Sequence, residues 1–215
     1  RRRPPQCGPR GSVALMGLLD YHRIVINQKA KLIELTNEYK IRDEQGAEIG
    51  VIRQEGQSTL KKVARFVSSL DQFMTHRLGA YDASGAKVLE LVRPRKIVKS
   101  SVEVYDGAGA LAGTIRQENV FGKIRFGLHD ASGAKVGEIR AENWRAWNFA
   151  IVDHIGAEVG RITKTWEGLA KTLFTTADDY LLEVSPSLRG PLRLLAFASA
   201  VGVDTALKQD ARGFG

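Results

Sequence analysis

The sequence predicts a mainly β fold, a closed antiparallel barrel of about twelve strands around a central apolar α-helix at the C-terminal end. Three observations predict it. An aspartate followed three positions later by glycine, and then by a short strand, recurs five times. The strands alternate, with Ile124, Phe126 and Leu128 on one face and Lys123, Arg125 and Gly127 on the other. One helix-length apolar run, PLRLLAFASAVGV from Pro191 to Val203, follows them.

In chain order, residues 1–15 hold Arg1, Arg2, Arg3 and Arg10 and no acid, so they supply half of the net charge of +8. Arginine, proline and glycine without apolar periodicity predict a disordered basic tail. No apolar stretch of signal-peptide type follows the arginines. Residues 16–210 are expected to form a single domain, and 211–215 a flexible end. The hairpin phrases run from Asp43 to Gly46 and then Ile52-Arg53-Gln54-Glu55, from Asp82 to Gly85 and then Val92-Arg93, and from Asp106 to Gly109 and then Ile115-Arg116-Gln117-Glu118. Two more run from Asp130 to Gly133 and then Ile139-Arg140, and from Asp153 to Gly156 and then Ile162-Thr163. An aspartate that hydrogen-bonds its own turn, with glycine at the residue needing positive φ, is hairpin chemistry. A meander of this length with one apolar face must close or stack to hide its edges.

The interval from Gly46 to Gly85 is longer, and Leu60, Val63, Ala64, Val67 and Leu70 there have helical spacing, which predicts a short helix at one barrel end. Thr165 is placed to cap a second short helix through Trp166, Leu169, Ala170 and Leu173. A strand at Tyr180 to Val184 and a Ser185-Pro186 turn lead into the apolar run.

The chemistry-bearing residues exclude several classes. Cys7 is the only cysteine, so neither an intrachain disulfide nor a cysteine metal site exists. His22, His76, His129 and His154 lack ligand spacing. The five turn aspartates share one phase of a turn, which makes them turn formers and not a carboxylate site. No nucleophile elbow, P-loop or dinucleotide fingerprint is present, so no enzyme activity, no cofactor and no nucleic-acid partner are expected. Arg93, Arg95, Lys96 and Lys99, broken by Pro94, lie between two expected strands. Such a cluster binds lipid-headgroup phosphates, or serves as a solvated edge that discourages strand pairing. Trp144, Trp147 and Trp166 suit either a membrane interface or a core.

From Gly160 the chain reads GRITKTWEGLAKTLFTTADDYLLEV, and upstream it carries Glu38-Tyr39-Lys40-Ile41 and Leu89-Glu90-Leu91-Val92-Arg93-Pro94. In this order, from about Leu32 to Asp204, the chain resembles the phospholipid scramblase family. The resemblance implies a fold shared with tubby C-terminal domains and plant LURP-one-related proteins, a twelve-stranded barrel threaded by its C-terminal helix. It also implies a link to calcium-dependent, nonspecific movement of phospholipids between leaflets, and tubby relatives bind phosphoinositides. The family's proposed calcium loop falls on residues 176–187, where Thr176, Leu181 and Ser187 replace an aspartate, the turn glycine and an acid. Asp178, Asp179 and Glu183 are the remaining calcium candidates, too few for a cation that takes about six to eight oxygens tightly. The cysteine clusters that receive lipid anchors in animal members are absent from this sequence.

Twelve helical residues rise about 18 Å, short of a hydrocarbon core of about 30 Å. Leu194, Leu195, Phe197, Ala198, Val201 and Val203 cover the whole circumference of that helix, so it is expected inside the barrel. The functional expectation is a non-enzymatic lipid or membrane-surface module, cytoplasmic and peripheral at the inner face, with phospholipid scrambling as a conditional activity. The alternative is a soluble structural or protein-interaction module with a protein partner.

Overall fold

Twelve antiparallel strands pair in chain order and close when the last meets the first. They are β1 (Arg23–Gln28), β2 (Glu38–Arg42), β3 (Glu48–Glu55), β4 (His76–Asp82), β5 (Lys87–Arg93) and β6 (Ser101–Asp106), then β7 (Leu111–Gln117), β8 (Arg125–Asp130), β9 (Lys135–Ala141), β10 (Asn148–Asp153), β11 (Glu158–Thr163) and β12 (Asp179–Val184). A 3-10 turn at Leu18–Asp20 precedes β1, and helix α1 (Gly190–Asp210) ends the fold. This computed structural model describes residues 17–28, 38–55, 76–94, 101–119, 124–142, 148–163 and 179–210. The basic tail, the flexible end, the two short helices expected near residues 60–70 and 166–173, and the three tryptophans lie outside the described residues.

Each expected aspartate–glycine turn forms in the same way. Asp130 Oδ1 accepts the N–H groups of Ser132 at 2.9 Å and Ala134 at 3.1 Å, while Gly133 takes φ of 86° and donates to the Asp130 carbonyl. The turns at Asp43, Asp82, Asp106 and Asp153 repeat these bonds. A left-handed glycine after a tight turn places one extra residue in the returning strand, and the register shifts at each of these hairpins. All five turns therefore sit at one rim, and the Ser185 turn into α1 joins them. Close strand approach beside a bulge also selects glycine: a Cβ on Gly137 would lie 2.6 Å from the Val152 carbonyl oxygen.

The core is one cluster that includes inward-facing side chains such as Ile24, Ile41, Ile52, Leu89, Leu128, Ile139, Ile151, Ile162 and Leu182, all at or below 1% exposure. Leu195, Ala196, Phe197, Ala198, Ala200 and Val201 of α1 belong to the same cluster. Residues 195–202 are all buried, whichever way they face, and α1 packs on β5, β6, β7, β8 and β12. A helix surrounded by the inward faces of a closed barrel is its central core element, as the sequence predicted. The buried Ser199 Oγ of this helix donates to the Leu195 carbonyl at 2.6 Å. Arg193 is buried at the turn rim, where its guanidinium donates to the carbonyls of Leu19 at 2.5 Å, Leu188 at 3.1 Å and Tyr21 at 3.2 Å. That bonding fastens the 3-10 segment across the rim. Burial lowers the Arg193 pKa, and Arg189 adds to the effect.

One expectation needs correction. The helix has 21 residues rather than about twelve, which is a rise of about 31 Å. Elongation adds a hydrogen bond per residue, so the polar residues Asp204, Lys208 and Asp210 continue a helix that the apolar run began. Length is therefore not what separates it from a membrane span. Among the described residues, no helix is long and apolar enough to cross a membrane.

Candidate functional site

Side chains on the outer wall form ion-pair clusters. At the end of β3, Glu55 accepts hydrogen bonds from Tyr81 Oη and, at 2.9 Å, from Lys87 Nζ. Lys87 also reaches Glu90 at 3.2 Å, and Glu90 takes Arg77 at 3.0 Å. Arg53 and Lys87 each stand 5.9 Å from the centre of the Tyr81 ring. A second cluster joins Lys135 to Glu118 at 2.5 Å and to Glu138 at 3.0 Å, with Arg140 on Glu138 at 3.0 Å. Arg161 holds Glu142 and Glu158, and Arg23 holds Glu183 at 2.7 Å.

Burial pushes the Glu55 carboxyl up, but the hydrogen bonds from Tyr81 and Lys87 outweigh it and the group titrates below the ordinary carboxylate range. Glu138 behaves alike, with burial opposed by Lys135 and Arg140. The hydrogen bond to Glu55 raises both Tyr81 and Lys87. Glu55 and Glu138 are therefore charged at neutral pH, and this wall pairs groups of both signs.

Of the expected site residues, the structure describes Arg93, Asp179 and Glu183. Arg93 ends β5 on the face of Leu89 and Leu91 and is 8% exposed, so its guanidinium is not on the outer wall. Arg95, Lys96 and Lys99 lie outside the described residues, between β5 and β6. Asp178 also lies outside them, and Asp179 opens β12. Glu183 is four residues further along an extended strand, about 13 Å away, and is bonded to Arg23. The strand does not bring Asp179 and Glu183 together, and among the described residues no group of three or more His, Cys, Asp and Glu side chains could hold a metal ion. The repeat directed attention to its turn aspartates and missed the outward arginines beside them, Arg116, Arg125 and Arg140. The signal was the strand phrase itself, Ile-Arg-Gln-Glu, whose arginine falls on the exposed face at both Arg53 and Arg116.

Charged residues on the outside and an apolar helix within are the reverse of a membrane-spanning barrel, whose outer band is apolar. What such a wall can do is pair with charges brought to it from solution or from an interface.

No curated protein and no solved structure matches the chain. The sequence profile of the family described as Scramblase matches residues 7–207, which is most of the chain and all twelve strands. With a closed twelve-stranded barrel and a C-terminal helix in its core, this chain belongs to the Scramblase family.

Proposed function

We propose that the chain is a non-enzymatic module that binds anionic phospholipid at a membrane surface, peripherally at the inner, cytoplasmic face. The observation that carries this reading is the family match along residues 7–207, combined with a helix committed to the barrel core. With the apolar helix inside and charge outside, contact with lipid runs through headgroups and not through hydrocarbon. Arg95, Lys96 and Lys99 supply positive charge between β5 and β6, and a basic residue near an anionic surface contributes about 1 kcal/mol. Movement of phospholipid between leaflets, in this reading, is a consequence of surface binding under particular conditions. Calcium has no tight site in it.

The test is cosedimentation with phosphatidylserine-containing vesicles, comparing the wild type with a variant carrying Arg95→Ala, Lys96→Ala and Lys99→Ala. Three lost surface charges predict a fall in affinity of about a hundredfold. Equal binding of the two proteins would remove the 95–99 cluster from the account.

A further inference from the structure

The outer wall carries the same nine-position grid twice. On β3, β4 and β5 the cross-strand rows are Val51–Tyr81–Lys87, Arg53–Gly79–Glu90 and Glu55–Arg77–Val92. On β7, β8 and β9 they are Thr114–His129–Lys135, Arg116–Gly127–Glu138 and Glu118–Arg125–Arg140. Both grids centre on a glycine, and neighbouring side chains fill the room that its missing side chain leaves. In both, the glutamate at one corner lies so close over that glycine that a Cβ would strike it. Six of the nine positions are identical, and the three that differ are Val51 against Thr114, Tyr81 against His129, and Val92 against Arg140.

Those three changes alter the chemistry of the patch. In the first grid every charge is engaged: Arg53 stands over Tyr81, Arg77 holds Glu90, Lys87 bridges Glu55 and Glu90, and Val92 is buried. In the second, Arg140 takes Glu138, the carboxylate that Arg125 would hold by analogy with Arg77. Histidine replaces the ring beneath Arg116. Arg116 and Arg125 are exposed, and among the described residues neither guanidinium has an ion-pair or ring partner. Arg125 also stands directly opposite Arg140, a like-charge cross-strand pair that disfavours the sheet locally. The other two changed positions, Thr114 Oγ1 and His129 Nδ1, are the buried side-chain polar atoms without a hydrogen-bond partner among the described residues. Such orphans call for a ligand or water oxygen.

We infer that the β7–β8–β9 grid is a phosphate-binding site, in which the exposed guanidinium groups of Arg116 and Arg125 hold an oxyanion, Arg140, which also holds Glu138, adds positive charge beside them, and Thr114 and His129 turn toward it. The Glu118 carboxylate covers Gly127, and its charge is met by Lys135 at 2.5 Å. Guanidinium and phosphate make charge-assisted, often bidentate hydrogen bonds, which suits two arginines better than any neutral ligand. The β3–β4–β5 grid is the closed counterpart that carries no ligand. The site rests on the proposed lipid reading only for the source of the phosphate, a phospholipid headgroup.

Backbone-amide NMR of the full chain, titrated with inorganic phosphate at constant ionic strength, tests the site. Saturable shifts are expected at Arg116, Arg125 and Gly127 and not at Arg53, Arg77 and Gly79. The triple variant Thr114→Val, His129→Tyr, Arg140→Val converts this grid into its counterpart. The double variant Arg116→Ala, Arg125→Ala changes only exposed side chains. Each is expected to weaken phosphate binding about tenfold or more. Absent shifts, equal shifts in both grids, or wild-type binding by the double variant would overturn the inference. A second arm uses vesicles with and without phosphatidylserine. Loss of vesicle binding by the double variant assigns the phosphate to a lipid headgroup. Phosphate shifts without any vesicle binding would keep the site, assign it to a soluble phosphate and count against the lipid reading.

Discussion

Glu138 shows how one residue joins packing to charge. It faces the outer wall yet its side chain is only 11% exposed, and its burial is offset by Lys135 and Arg140. Its folded-state pKa lies below the ordinary value, so its contribution to stability is present above the unfolded-state pKa of about 4.3 and is lost as pH falls through the folded one. Glu138→Gln is therefore expected to lower stability by about 1 kcal/mol at neutral pH. Denaturant titrations at falling pH check the sign, because the difference from wild type must shrink on the acid side. A difference that does not change with pH would show that the side chain acts through packing alone. At the same scale, strand parity decides the direction of Arg93. Counting by two from Leu89 through Leu91 reaches it, so its inward direction was present in the alternation of β5. Its place in a basic cluster along the chain drew attention away from that parity.

At the scale of elements, the hairpins were the most legible part of the molecule because their code is local. An aspartate, and a glycine three residues on, determine the turn, the bulge and the start of the next strand without reference to distant residues. The helix was legible in its location, since an apolar circumference has nowhere to go but a core, and illegible in its length. Its last turns take their helicity from the buried turns before them, and no apolar pattern marks that continuation. Overpacking the centre tests the location. Ala198 is completely buried inside the barrel, so Ala198→Leu is expected to destabilise the fold by about 1–3 kcal/mol. Thermal unfolding of that variant reads the effect, and unchanged stability would mean that α1 does not fill the lumen. The paired grids were invisible in the sequence for another reason. They need the register of three strands at once, and that register passes through the bulges between Ala80 and Tyr81 and between Leu128 and His129.

For the whole molecule, the decisive arrangement is an apolar helix inside twelve strands and a charged wall outside. Under the proposed function, the lipid chemistry of this Scramblase-family chain is that of headgroups at a surface, with the basic 95–99 stretch and the arginines of β7 to β9 proposed as its positive points. Attraction of that kind is screened within about 8–10 Å at physiological ionic strength, so it must weaken as salt rises. Flotation of the wild-type chain with phosphatidylcholine vesicles and with phosphatidylserine-containing vesicles, at low and at high salt, tests the account most directly. The account predicts flotation with the phosphatidylserine vesicles at low salt, its loss at high salt, and none with phosphatidylcholine alone. Absence of flotation on either vesicle at low salt would contradict it, as would flotation that salt does not diminish.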